Sequence, residues 1–232
     1  MEHSPTLGDD ITHRRIDSDN WTDIYVIGDV HGCRGSLERL LDVLSPDRED
    51  LVVFVGDLVR KGPDSNGVLD LIRSRSNFRA VRGNNEQKLV DGHKSVDSLN
   101  DADTAYLDSL PVALSWDDTL VVHGGVDHRK PLAEHSVAEL ITLRSMAPEG
   151  GYERPYWFEE RHERPRVFFG HTVLSEPFES EFAVGLDTGC VYGGALTAYD
   201  YRAEETLSVE PPETYRQRSA DSIVEPQTVT VE

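Results

Sequence analysis

"YVIGDVHGCRG", residues 25–35, is an apolar run that stops at an aspartate and a histidine two positions apart, each beside a glycine. Tyr25, Val26 and Ile27 have the aromatic and β-branched character of a buried strand. The same ending recurs along the chain. Runs of strand length, "LVVFVG", "FRAVRG", "TLVVHG" and "RVFFG", finish in Gly56–Asp57, Gly83–Asn84, His123–Gly124 and Gly170–His171, and "FAVGLD" follows them. Polar side chains just past strand carboxyl ends project into the crevice where α/β sheets bind ligands, and glycine lets backbone approach backbone. A lone Asp-x-His is more often a helix cap or a turn; five repeats of strand, glycine and ligand-type residue predict one gathering point.

Its members are Asp29, His31, Asp57, Asn84, His123 and His171: two carboxylates, one amide oxygen, three imidazoles and no thiolate. Six such groups exceed one tetrahedral ion and suit two divalent cations of the Mn, Fe or Zn type sharing a carboxylate. Such a pair, ~3.5–4 Å apart, activates water and clamps phosphoryl oxygens during in-line displacement.

Outward from these runs, helical periodicity appears over 36–44, 66–74 and 85–90, so the front half reads as βαβαβα with parallel strands. In the back half, "VALSWDDTLVVHGG" reads as a hairpin turning at Asp117–Asp118, "VAELITLRS" as a helix, and the rest as antiparallel strands. Two sheets packed face to face with helices outside are expected. Polar residues 1–20 and 211–232 read as mobile tails around a single domain at 21–210.

The chain of 232 residues carries 43 Asp plus Glu against 23 Lys plus Arg, a net charge of −20, and its only lysines are Lys61, Lys88, Lys94 and Lys130. That balance excludes duplex nucleic acid as the expected partner, because such binding neutralises phosphates with basic side chains. An acidic, lysine-poor composition resembles that of proteins kept soluble in concentrated salt. No leader-like apolar segment and no bilayer-length apolar run occur, so a cytoplasmic protein with no membrane partner is expected. Cys33 and Cys190 are expected to be reduced thiols.

The motifs "GDVHG" (28–32), "GDLVRKGPDS" (56–65), "GNNE" (83–86), "HGG" (123–125) and "GHT" (170–172) resemble those of the phosphoprotein-phosphatase branch of calcineurin-like metallophosphoesterases. That branch includes Ser/Thr protein phosphatases and symmetrical diadenosine tetraphosphatases. The resemblance spans roughly residues 24–200 and implies an α/β (α+β) fold, a four-layer αββα sandwich of two mixed β-sheets. It implies that Asp29, His31 and Asp57 hold a first metal and Asp57, Asn84, His123 and His171 a second, with manganese the expected ion. A hydroxide between the metals, held through Asp57 and His123, would attack phosphorus directly. Lys61, Arg60, Arg144 and Asn84 are the expected phosphate contacts, with Arg34 and Arg82 as further candidates.

Two departures bear on substrate. Lys61 stands where relatives carry an arginine, keeping the charge and losing the bidentate fork. Asn85 and Arg60 stand where relatives carry a histidine and an aspartate that protonate the leaving oxygen, a contribution worth ~10²–10⁴ in rate. An alkoxide leaving group needs that proton more than a phosphate does, whose second pKa is about 6. The expected substrates are phosphoanhydrides such as diadenosine tetraphosphate, or activated phosphate monoesters. The alternatives are a Ser/Thr or Tyr phosphoprotein phosphatase and a metal-binding regulatory protein without turnover. In "GGYERPYWFEERHERP" (150–165), Tyr156, Trp157 and Phe158 either stack a base or pack under the loop, and His93, His128 and His162 read as surface residues.

Overall fold

The computed structural model describes residues 5–227. The front half alternates strand and helix as the periodicity predicts: β2 (Ile24–Ile27), α1 (Arg34–Leu44), β3 (Leu51–Phe54), α2 (Ser65–Arg73), β4 (Phe78–Ala80) and α3 (Asn84–Val90). β2 pairs in parallel with β3, and β3 with β4. In α1, Leu37, Leu40, Leu41 and Leu44 fall on one buried stripe, the spacing of an amphipathic helix. Two strands from the far end of the chain, β10 (Leu196–Asp200) and β11 (Glu205–Val209), complete this sheet in the order β11-β10-β2-β3-β4.

The second sheet contains β1 (His13–Arg15), β5 (Ala113–Trp116), β6 (Thr119–Val121), β7 (Arg166–Phe169), β8 (Phe178–Glu179) and β9 (Ala183–Gly185), ordered β1-β5-β6-β7-β9-β8. The hairpin turns at Asp117–Asp118 as expected, with Trp116 opposite Thr119. The antiparallel back half needs correction, because β6–β7 and β7–β9 are parallel. The link from β6 to β7 is a long crossover carrying α5 (Val137–Thr142) and α6 (Trp157–Glu160), which allows a parallel return where a tight turn does not.

Alternation along the strands builds the layers. Ile24, Val26, Leu51, Val53, Val121, Phe168 and Val184 fill the space between the sheets. Tyr25, Ile27, Val52 and Phe54 face the layer of α1 and α2. Val167, Phe169 and Ala183 face the thinner layer that includes α5 and α6. The four-layer sandwich is thus present. The expected domain limits of 21 and 210 are too narrow. β1 pairs with β5, Ile11 and Ile16 are buried, and Val224 is buried and bridged to Leu174. Strand pairing uses backbone groups, so a polar segment with one or two apolar anchors docks without an amphipathic signal. A helix absent from the periodicity, α4 (Asp101–Ser109), packs on α3.

Candidate metal centre

The loops after the strands meet at one end of the sandwich. His31, Asp57 and His171 lie there at φ of +50°, +50° and +63°, a left-handed conformation that non-glycine residues adopt mainly where the surroundings hold them. Glycine makes the approach possible. A Cβ on Gly170 would lie 1.9 Å from Asp29 Oδ1, and one on Gly83 would lie 2.4 Å from the Asp57 backbone nitrogen.

All six expected ligands are brought together, in a ring of contacts. His31 Nε2 is 3.8 Å from Asp29 Oδ2 and 3.5 Å from Asp57 Oδ2. Asp57 Oδ1 is 3.3 Å from His123 Nε2, which is 3.3 Å from Asn84 Oδ1. The His123 and His171 rings are 5.1 Å apart, and the His171 backbone N–H donates to Asp29 at 3.3 Å. Among the described residues, Asp29, His31 and Asp57 place three ligand atoms within 4.8 Å of one another, and all three are buried.

Each histidine is oriented by a backbone carbonyl. His31 Nδ1 lies 3.4 Å from Val59 O, His123 Nδ1 2.8 Å from Val55 O and His171 Nε2 3.0 Å from Thr142 O. A carbonyl only accepts, so these nitrogens carry the proton and the opposite nitrogens present lone pairs. Imidazoles anchored in this way, beside two carboxylates and an amide oxygen, fit divalent cations.

The charges support that fit. Burial, followed by the neighbouring Asp187 and Asp57 carboxylates, raises Asp29 well above the usual carboxyl range. Burial also disfavours the Asp57 anion, but His123 and His31 outweigh it and hold Asp57 well below that range. Burial lowers His31 to about 3 and His171 well below its ordinary value. At His123 burial opposes the charged form and the Asp57 carboxylate more than compensates. Crowded buried carboxylates of this kind are stabilised by bound cations.

Two acidic residues complete the site unforeseen. Glu86 is fully buried, and its carboxylate accepts N–H bonds from Asp57 at 2.7 Å, Gly83 at 2.8 Å, Leu58 at 2.9 Å and Val59 at 3.3 Å. It thereby braces the loop that carries Asp57. Asp187 is buried beside Asp29; its signal was the run "FAVGLD", which ends on an acid as the others end on ligands.

Of the expected phosphate contacts, Lys61 Nζ lies 2.7 Å from His31 Nε2, and Arg144 Nη2 lies 3.3 Å from His171 Nδ1. Arg60 donates to Asn85 Oδ1, and the Asn85 amide donates to Asp57. Lys88 was also missed. Its pKa is lowered by burial first, with the charges of Arg60, Lys61 and Arg144 adding to that.

Arg34 and Arg82 are corrected. Arg34 pairs with Glu38 and Asp64 at the surface, and Arg82 ties α3 to the end of α4 through Gln87 and the carbonyls of Asp108 and Leu110. Tyr156, Trp157 and Phe158 are buried in the core, with Trp157 donating to Gly124 O at 3.2 Å, so none is free to stack a base. His93 and His162 are exposed as expected, whereas the His128 side chain is only 13% exposed and lies against the His162 ring. Cys33 and Cys190 are free, buried and hydrogen-bonded to each other.

Comparison with known proteins bears on the same residues. The family pattern described as calcineurin-like phosphoesterase matches residues 22–203. The chain belongs to the calcineurin-like phosphoesterase family. It is 31% identical over 210 residues to "Serine/threonine-protein phosphatase 1" of Salmonella typhimurium, covering 80% of this chain and 94% of that protein. It is 27% identical over 233 residues to "Bis(5'-nucleosyl)-tetraphosphatase PrpE [asymmetrical]" of Oceanobacillus iheyensis, covering 80% of this chain and 91% of that one. A crystal structure described as "a putative diadenosine tetraphosphatase" superposes with a TM-score of 0.77 at 29% identity, over 86% of this chain and 98% of the other. As a member of this calcineurin-like phosphoesterase family, the protein is a metal-dependent hydrolase of phosphoesters or phosphoanhydrides.

Proposed function

We propose that the protein hydrolyses phosphoanhydrides, dinucleoside polyphosphates foremost, using two manganese ions. Asp29, His31 and Asp57 hold the first and Asp57, Asn84, His123 and His171 the second. The cations, when bound, supply Lewis-acid charge and lower the pKa of water. Asp57 supplies the shared negative charge, and the carbonyl-anchored histidines keep their lone pairs on the centre without reorganisation. Lys61, Arg60 and Arg144 bring positive charge to the phosphoryl oxygens.

The Asn85 amide between Asp57 and Arg60 carries the choice of substrate. An amide and a guanidinium do not yield a proton at neutral pH, so the leaving group must depart as a stable anion. A phosphate or nucleotide does so; a serine alkoxide does not. The test is to compare kcat/KM of the manganese-loaded protein on diadenosine tetraphosphate and on a phosphoserine peptide. Faster turnover of the dinucleotide is expected. Faster turnover of the peptide would establish the second reading, a phosphoprotein phosphatase, which the 31% identity to a named Ser/Thr phosphatase supports. No helix among the described residues is long and apolar enough to cross a membrane. With the acidic composition, this supports an enzyme working in a cytoplasm rich in salt.

A further inference from the structure

Beside the metal centre, cations and aromatic rings alternate in an unbroken arc. Lys61 Nζ lies 5.3 Å from the centre of the Tyr192 ring, and the Arg218 guanidinium lies 4.7 Å from the same ring. Arg218 is also 5.5 Å from the Tyr152 ring, and Arg144 is 5.0 Å from that ring. The two ends of the arc touch expected metal ligands, Lys61 at His31 and Arg144 at His171. Arg218 is the middle of the arc, and it comes from the segment whose polarity suggested a tail.

That segment is pinned on both sides of Arg218. Arg216 N donates to Val191 O at 3.0 Å and Arg216 Nε to Lys61 O at 2.9 Å, while Val224 N donates to Val173 O at 2.8 Å. Gly193, at φ +91°, lets Thr214 come close: a Cβ there would lie 2.3 Å from Thr214 Oγ1. The Arg218 side chain is itself fixed, with Nε on Ser222 O at 2.9 Å and Nη2 on the Tyr152 hydroxyl. The neighbouring Arg144 Nε is buried without a hydrogen-bond partner among the described residues.

Like charges held this close repel. The Asp187 carboxylate acts on Lys61 and Arg218 from a distance, without an ion pair to either. In a chain of net charge −20, three cations gathered along one arc are placed to make charge-assisted hydrogen bonds to an anion of high charge density.

We propose that Arg218, flanked by the rings of Tyr192 and Tyr152, forms a second phosphate subsite that receives the phosphates adjoining the one attacked, so that the enzyme selects polyphosphate chains over single phosphates. This rests on the phosphohydrolase reading given above. Lys61 and Arg144 hold the phosphate at the metal centre, and Arg218 reads whether another phosphate follows it.

The experiment uses the full-length, manganese-loaded protein with Arg218→Gln, Arg218→Lys and Tyr192→Leu, each first checked for a wild-type near-UV spectrum. Two quantities are read. One is the affinity for adenosine β,γ-imidotriphosphate relative to adenosine monophosphate, by titration calorimetry with Mn²⁺ in excess. The other is the ratio of kcat/KM on diadenosine tetraphosphate to that on p-nitrophenyl phosphate. In Arg218→Gln both ratios should fall about tenfold or more, the scale of removing one charge-assisted hydrogen bond, and Arg218→Lys should fall between. Ratios equal to the wild type, whether both ligands weaken together or neither does, overturn the subsite. If no phosphate compound is hydrolysed, the phosphohydrolase reading fails, and the calorimetric ratio still decides the subsite by itself.

Discussion

Glu86 shows how much of the centre depends on a side chain that need not touch substrate. Its two oxygens take four backbone N–H bonds around Asp57, and these bonds favour the anion against the burial and the Asp57 charge that push its pKa up to about 7. Glu86→Gln places an NH₂ against two of those donors. Stability of the metal-free protein should fall by about 2–3 kcal/mol, the worth of hydrogen bonds to a charged group left unmade, as read by urea unfolding in EDTA. Apparent manganese affinity should fall about 10–100-fold, as when an outer partner of a ligand is lost. Wild-type values for both would remove Glu86 from the positioning role. Asp57 is the sharper case, since His31 and His123 both face its carboxylate. Asp57→Asn should reduce p-nitrophenyl phosphate turnover with Mn²⁺ to the level without metal, and retained metal stimulation contradicts the shared-ligand role. The six ligands were legible because each lies just past a strand-like run with a glycine close by. Lys88, Tyr192 and Arg218 were not, because only the closing of the sheet ends and the docking of the C-terminal segment bring them to the cleft. The aromatic segment was read on the wrong residues: Tyr156, Trp157 and Phe158 fill the core, while Tyr152, a few positions earlier, joins the arc.

Among the elements, α4 is held by its cap more than by its apolar face. Within it only Asp103 and Leu107 are buried. Asn100 Oδ1 accepts from the N–H groups of Ala102 at 2.8 Å and Asp103 at 3.1 Å, and Asp103 Oδ2 accepts from Asn100 N at 2.9 Å. Arg73, at the end of α2, donates to Asp103 Oδ1 at 2.6 Å. The Asn100 N–H and then Arg73 hold the Asp103 carboxyl below its ordinary value of 3.8. A folded-state pKa below the unfolded one gives stability that is complete above about pH 4 and is lost as pH falls through the folded value. Asp103→Ala should therefore cost about 1–2 kcal/mol at pH 7, the scale of a lost cap, and much less near pH 2. Urea midpoints at the two pH values check this, and an equal cost at both removes the carboxylate from the account. The same helix shows why element prediction was uneven. β2, β3 and β7 are buried on both faces and read as apolar runs, and α1 and α2 have apolar stripes; α4 offers neither, and its one sequence mark was the Asn100-x-x-Asp103 cap. β1 and the strap around Val224 left less still, because backbone pairing carries them.

For the whole molecule, charge is the strongest influence outside the core. Asp and Glu outnumber Lys and Arg by 43 to 23, and two of the four lysines, Lys61 and Lys88, stand around the metal centre. The outer surface is correspondingly poorer in positive charge than the composition alone suggests, and folding gathers like charges that the extended chain keeps apart. Carboxylate repulsion is thus a cost of the compact state that ionic strength controls. Between about 0.1 M and about 1 M salt the Debye length shrinks from about 10 Å to about 3 Å, shorter than the spacing of most surface charges. Each kcal/mol of repulsion removed raises Tm by about 2–4 °C in a chain of this size. Tm measured by circular dichroism in EDTA should therefore climb steadily with KCl, by at least that amount over this range. NaCl at equal ionic strength should give the same rise, because screening depends on ion concentration and not on ion identity. A Tm indifferent to salt would mean that the acidic surface is already balanced by its own ion pairs, and the proposal of a protein suited to a salt-rich cytoplasm would fall with it. A rise with KCl but not NaCl would point instead to a specific potassium site, which screening alone does not produce.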